Sequence, residues 1–150
     1  MKIQSEETLK CLINIFKING YRIEVYKKLV NTIYSPELKR SFQNQADESA
    51  SIVEKLNHIL DESFENSDSP VLFEDAQIDQ SQFYFGMAQA SKNVRTILVS
   101  CQFGDEFLIK SYQKILAIFE FEAFNPLKEC LTTHLSSLKK MSFDYDNYAF

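Results

Sequence analysis

Glycine, proline and cysteine each occur only three times in this chain of 150 residues, and histidine only twice. So few chain-breaking residues allow few turns, and the strand-like stretches are short, so long helices are expected. The cysteines, Cys11, Cys101 and Cys130, are odd in number and far apart, and no Cys-x-x-Cys pair exists. Neither a zinc site nor a redox motif is therefore supported. Free cysteines behave as small buried apolar residues, which suits a reducing, cytoplasmic setting. The formal net charge is −5, with Lys and Arg scattered rather than clustered. Nucleic-acid binding, which relies on a basic stripe, is not expected. No uncharged apolar run approaches the ~20 residues of a membrane span. The opening "MKIQSEETLK" lacks the apolar core of a signal peptide, so a soluble, cytoplasmic protein is expected.

What is present is apolar periodicity. Hydrophobic residues make up 45% of the chain, and at this length roughly 68–70% of the unfolded surface can be buried. A single all-α domain over residues 1–150 is expected, with helices at about 5–34, 36–62, 92–122 and 126–141. Ser5, followed by Glu6 and Glu7, is the expected cap of the first helix. Its apolar positions run Leu9, Leu12, Phe16, Ile23, Tyr26, Val30 and Ile33, with Gly20 in the gap. Ser35 then caps a second helix whose first residue is Pro36, where a missing amide costs nothing. That helix places Leu38, Phe42, Gln45, Ser49, Ile52, Leu56 and Ile59 on a strict 4–3 seam. Gln45 and Ser49 interrupt the seam and read as a register device.

The linker, 63–91, is too long for an ordinary bundle connection of ~2–8 residues. It is predicted to be a crossover carrying a short helix near Asp79–Ala90 over one end or side of the bundle. Ser91 is the expected cap of the next helix, with Val94, Leu98, Cys101, Asp105, Leu108, Tyr112, Ile115 and Phe119 on its seam. Asn125 and Pro126 open the last, which carries Leu127, Leu131, His134, Leu138 and Met141. The tail, 142–150, shows no evident helical period but holds Phe143, Tyr145, Tyr148 and Phe150. Gly20 and Gly104 occupy matching places in "GYRIEVYKKL" and "GDEFLIKSYQKIL", and the two halves read as a duplicated helical hairpin. A glycine inside a helix costs about 1 kcal/mol against alanine, so both are expected to mark close helix approach.

Two stretches resemble a known family. Asn19, Arg22, Ile23, Glu24, Tyr26 and Lys28 match an Asn-x-x-Arg-Ile-Glu-x-Tyr-x-Lys pattern. Pro36, Leu38, Lys39 and Phe42 match a Pro-x-Leu-Lys-x-x-Phe turn. Cys101, Gly104, Asp105, Glu106, Lys110 and Tyr112 match Cys-x-x-Gly-[Asp/Glu]-[Asp/Glu]-x-x-x-Lys-x-Tyr. Together, over most of residues 5 to 140, they resemble a bacterial family of uncharacterised ferritin-like four-helix-bundle proteins, a domain of unknown function. The chain departs from that pattern in its aromatic-rich linker and tail. The resemblance implies a ferritin-like bundle of two hairpins joined by a long crossover. It implies no activity and carries over no catalytic residue.

A ferritin-like diiron site takes a Glu from each of two helices and a Glu-x-x-His from each of the others. Lys55 precedes His58 by three residues and Leu131 precedes His134, so neither motif exists here. A non-standard site of Glu24, Glu48 and Asp105 fits poorly with helix heights. At ~1.5 Å per residue, a crossed-over bundle brings Asp105 within ~6 Å of the Glu24 level but leaves His134 ~10 Å away. With both turns at one end, Glu24 and Asp105 separate by ~14 Å. Glu24, placed near the apolar seam of the first helix, is read instead as pairing with Lys27 or Lys28, or bonding Gln45 or Ser49 across the hairpin. Asp105 is read as bonding a neighbouring helix. His134 is read as a core histidine bonded to a carbonyl or to a tyrosine such as Tyr112, and Glu54 with His58 as a surface pair. No nucleophile–base pair or phosphate-binding loop stands out, so no catalytic, cofactor or metal residue is assigned. The expectation is a non-enzymatic bundle acting through a protein partner or as a homo-oligomer, since aromatic residues are enriched at interfaces. The alternatives are a degenerate ferritin-like metal-binding or stress-related protein, and a small-ligand carrier with a slot beside Gly20 and Gly104. The tail is left either to dock on its own bundle or to meet a partner.

Overall fold

Ser35 ends one helix and begins the next. Its Oγ accepts a hydrogen bond from the Leu38 amide at 3.2 Å and its carbonyl accepts the Lys39 amide, so Pro36 enters at the first helical position as expected. The computed structural model describes residues 6–65, 76–119 and 125–148. Among these are five α-helices and no strand: α1 (Glu6–Thr32), α2 (Pro36–Glu65), α3 (Ala76–Ala90), α4 (Val94–Phe119) and α5 (Asn125–Asp146). The expected cap Ser5, residues 66–75 of the linker, the connection at 120–124 and Phe150 lie outside the described residues.

Several boundaries differ from the sequence expectation: α1 stops at Thr32 and not at 34, and α3 begins at Ala76 and not at Asp79. α4 is capped by Asn93, whose Oδ1 accepts the Thr96 amide at 3.0 Å, while the expected cap Ser91 accepts the Asn93 amide instead. Both residue types cap well, and the one nearer the first apolar turn prevails. α2 runs three residues beyond 62. α5 continues past Met141 to Asp146, because Met141, Tyr145 and Tyr148 prolong the 4–3 stepping of Leu138 and Met141. Tyr145 is buried edge-on against Phe42 at 6.1 Å, and the Tyr148 hydroxyl donates to Ser35 Oγ. Those two tail aromatics therefore dock on their own bundle, while Phe143 stays exposed.

Cross-helix contacts fix the senses. Arg22 and Tyr26 of α1 meet Ser49 and Phe42 of α2, so these two run antiparallel. Asn19 meets Tyr112 and Arg22 meets Asp105, so α4 opposes α1. Tyr112 meets His134 and Gln102 meets Ser142, so α5 opposes α4. Hence α2 and α4 point the same way. α3 packs along α4, joined by residues 91–93, and also covers α1. α2 and α5 touch each other least of the neighbouring pairs.

The seams expected for α2, α4 and α5 are the buried ones, apart from the half-buried Ile59 and Val94 at their ends and Phe119, whose side chain lies outside the described residues. The α1 seam is rotated from its expectation. Leu9, Phe16, Ile23 and Val30 are only half-buried, whereas Ile15, Ile18, Asn19, Arg22, Val25 and Leu29 face the core. α1 is packed on several sides, so its apolar residues ring it too broadly for spacing alone to mark the deepest face.

The two glycines also part company. A Cβ on Gly104 would stand 2.9 Å from the buried Phe85 ring, which also fills any slot there, whereas one on Gly20 would meet nothing within 4 Å. Close approach holds for Gly104 alone. Gly20→Ala is expected to stabilise the protein by roughly 0.5–1 kcal/mol through helix propensity. Gly104→Ala is expected to destabilise it by about 1–3 kcal/mol through overpacking. Urea unfolding of the two variants would read both signs, and a Gly104→Ala protein as stable as wild type would show that the ring yields freely.

Candidate functional site

At the centre of the bundle, where apolar packing would be expected, lies a guanidinium. Arg22 is 0% exposed, and each of its five N–H donors has an acceptor. Nε donates to Asp105 Oδ1 at 2.7 Å, and Nη2 donates to Asp105 Oδ2 at 3.3 Å and to Gln45 Oε1 at 2.7 Å. Nη1 donates to Ser49 Oγ and to His134 Nε2, the latter at 3.3 Å. The Tyr26 hydroxyl adds a third hydrogen bond to Asp105, at Oδ2, and its ring lies 5.0 Å from Arg22 Cζ. One side chain of α1 thus draws in α2, α4 and α5.

His134 carries the network outward. Since Nε2 accepts from Arg22, the neutral ring holds its proton on Nδ1 and donates it to the Tyr112 oxygen, which also accepts from Asn19 Nδ2 at 3.1 Å. Burial, and then the adjacent Arg22 charge, pull the His134 pKa down to about 3. The ring is therefore neutral at physiological pH. Its 3.8 Å approach to Glu48 is accordingly a contact and not an ion pair, and Glu48 instead accepts the Ser137 hydroxyl at 2.7 Å.

Burial drives the Asp105 carboxyl above its ordinary value, while Arg22 and Tyr26 draw it back. Three donors on its two oxygens hold it as the carboxylate. For Arg22 burial works against the charge, but Asp105, together with Tyr26 and Tyr112, outweighs it and the net shift is upward. The core charges cancel, one cation against one anion. Burial, followed by Asp105, raises the Cys101 thiol to about 12, so this cysteine is an inert apolar side chain.

The expectations for Asp105 and His134 hold in kind: each is buried and bonds a neighbouring helix, His134 through Tyr112. Glu24 is a correction, since it is exposed on α1 and not near the seam; the buried residue is Arg22, two places earlier. Gln45 and Ser49 consequently bond Arg22 and not Glu24. Glu24, Glu48 and Asp105 are not brought together, and among the described residues no three His, Cys, Asp or Glu are grouped to hold a metal ion. The sequence reading missed Arg22 as a core residue. A signal existed, because Gln45, Ser49 and Asp105 put acceptors on two seams, and only arginine offers enough donors to meet them all.

Two surfaces adjoin this core. Between α2 and α5 runs a groove of about 440 Å³ lined by Glu48, Ile52, Lys55, Cys130, His134 and Ser137. On the opposite flank, the outer face of α3 and α4 is aromatic. Tyr84 stacks on Phe103 at 5.2 Å and on Phe107 at 6.2 Å, and Phe83 meets Tyr84 edge-on. Phe83 is 64% exposed, Phe103 52%, Met87 42% and Val99 40%. Among the described helices, none is long and apolar enough to cross a membrane. Compared with known protein families, with curated proteins and with solved structures, the chain has no match.

Proposed function

We propose that this chain is a ferritin-like bundle that performs no metal chemistry and acts by protein–protein contact through the aromatic outer face of α3 and α4. The observation that carries this reading is the face itself. Apolar side chains scattered singly over a surface need no explanation, but Phe83, Met87, Val99 and Phe103 stand side by side and exposed. They sit on packed helices, so the surface is formed before any partner arrives.

The ferritin-like assignment draws support from the helix senses. With α2 and α4 pointing the same way, the chain must travel the bundle's length between them, as in two hairpins joined by a crossover. In metal-bearing members of that architecture the ligands project into the core from all four helices. Here the corresponding interior is occupied by Arg22, and Asp105 is its counter-ion. A cation entering there would meet a fixed positive charge. The enzyme reading gains nothing from His134, whose two nitrogens are both engaged.

The test is sedimentation of the purified chain against a Phe83→Glu/Phe103→Glu variant, which alters only exposed positions. Wild type is expected to sediment above the monomer mass and the variant at it, with unchanged helical circular dichroism. An assembly that ignores both substitutions would overturn the assignment of this face.

A further inference from the structure

We infer that the occupant of the α3–α4 face is a second copy of this chain, laid antiparallel across a two-fold axis. The inference rests on the proposed contact role of that face and adds to it the partner and the pairing. In a two-fold contact the same patch serves both sides, so it must complement itself. This one does, in its charges and in the spacing of its apolar side chains.

On α4, Thr96, Val99, Phe103, Glu106 and Lys110 follow steps of three and four along one exposed stripe, and Arg95 lines its dish-shaped end. Place the axis midway between Val99 and Phe103. Antiparallel crossing then sets Val99 on Phe103 of the second copy, and Phe103 on its Val99. Arg95 lies about 9 Å from the axis along the helix and Glu106 about 8 Å in the opposite direction. Each Arg95 therefore falls beside Glu106 of the other copy.

α3 repeats the arrangement independently. With the axis midway between Phe83 and Met87, these two residues exchange places across the interface. Asp79, at the base of the hairpin, comes opposite Lys92 in the turn at its tip. The Phe85 ring and the Ser81 hydroxyl both meet Gly104, which places the two midpoints within about one helical turn of each other, so one axis that serves both helices runs obliquely across them.

The tip of the hairpin is basic, with Lys92 and Arg95, and its base is acidic, with Asp79 and Glu106. Lys110 on the same stripe falls opposite Lys92 of the other copy but is turned over the Phe107 ring at 5.8 Å, which leaves Arg95 and Glu106 as the pair that sets the register. A parallel pairing would set tip on tip and bring four cations together. The antiparallel one sets opposite charges together at both ends.

A charge swap tests this, read by sedimentation equilibrium at tens of micromolar protein. Arg95→Glu and Glu106→Arg, each alone, create two like-charge contacts per dimer and are expected to weaken association at least about tenfold. The double variant restores both pairs and is expected to return to within about threefold of wild type. All these positions are exposed, and circular dichroism checks that folding is retained. A double variant as weak as the single ones, alongside a Phe83→Glu/Phe103→Glu protein that also dissociates, would overturn the pairing while the aromatic face stood as the contact. Single variants that associate like wild type, or a wild-type chain that is monomeric throughout, would equally overturn the inference.

Discussion

Replacing Arg22 with methionine is expected to destabilise the fold by about 3–5 kcal/mol, a large share of a domain's usual 5–15 kcal/mol. The loss does not measure the strength of one ion pair. It arises because Asp105, 2% exposed, keeps its charge with only the Tyr26 hydroxyl as donor, and because Gln45 and Ser49 lose their donors too. Asp105→Leu is expected to cost a similar amount from the other side, by leaving the guanidinium without a counter-ion. The informative protein is Arg22→Met/Asp105→Leu. With neither charge left to desolvate, most of the loss should be recovered, as happens when a buried ionic pair is replaced by apolar groups of similar volume. Urea unfolding of the four proteins gives the cycle. If the double variant loses the sum of the two single losses, Arg22 and Asp105 do not act as a pair, and the core is not organised around their mutual neutralisation.

Acid is expected to weaken the fold through His134, and the sign follows from the direction of its shift. The unfolded side chain titrates near its ordinary 6.5 and the folded one near about 3. Above pH 6.5 neither state takes the proton, and the contribution is fully present. Between about 6.5 and 3 only the unfolded chain is protonated, so stability falls with falling pH at up to about 1.4 kcal/mol per pH unit. Taken down to about pH 3, the whole effect is on the order of 5 kcal/mol. Asp105, whose folded pKa is raised, works the other way over part of the same range. The comparison that isolates the histidine is therefore between wild type and His134→Gln, each unfolded by urea from pH 7 to 4. The glutamine protein should be less stable at pH 7 but decline less steeply. Parallel curves would mean that His134 takes up its proton in the native protein at the same pH as in the unfolded chain, in which case Glu48 at 3.8 Å would be its ion-pair partner below that pH.

How much of this could be read from sequence depended on how each helix is packed. α2 and α5 each show the core a narrow face, so their spacing identified Phe42 and Leu138 as buried and even placed His134 inside. On α4, which packs on α1, α3 and α5, the 4–3 seam still picked out Cys101 and Asp105. Ser35 and Pro36 were legible because capping is local. α1 was not, since it is covered by several neighbours and its apolar residues no longer mark one stripe. The seam drawn through Ile23 and Tyr26 put Glu24 near the core and left Arg22 on the surface, where arginines usually are. The continuation of α5 was hidden because Asp144, Asp146 and Asn147 give its last turns the composition of a loop. Gly20 and Gly104 look alike in sequence, and only the position of the Phe85 ring tells them apart.

The groove between α2 and α5 has a dynamic consequence. The backbones of α2 and α5 stand apart along it, and the two helices meet through side chains, Tyr145 on Phe42 and Ser137 on Glu48. An opening that parts only those contacts needs less free energy than unfolding the domain. The first water molecules let in would reach the imidazole of His134, and the guanidinium of Arg22 lies directly behind it. The groove thus brings solvent to within one side chain of the buried guanidinium.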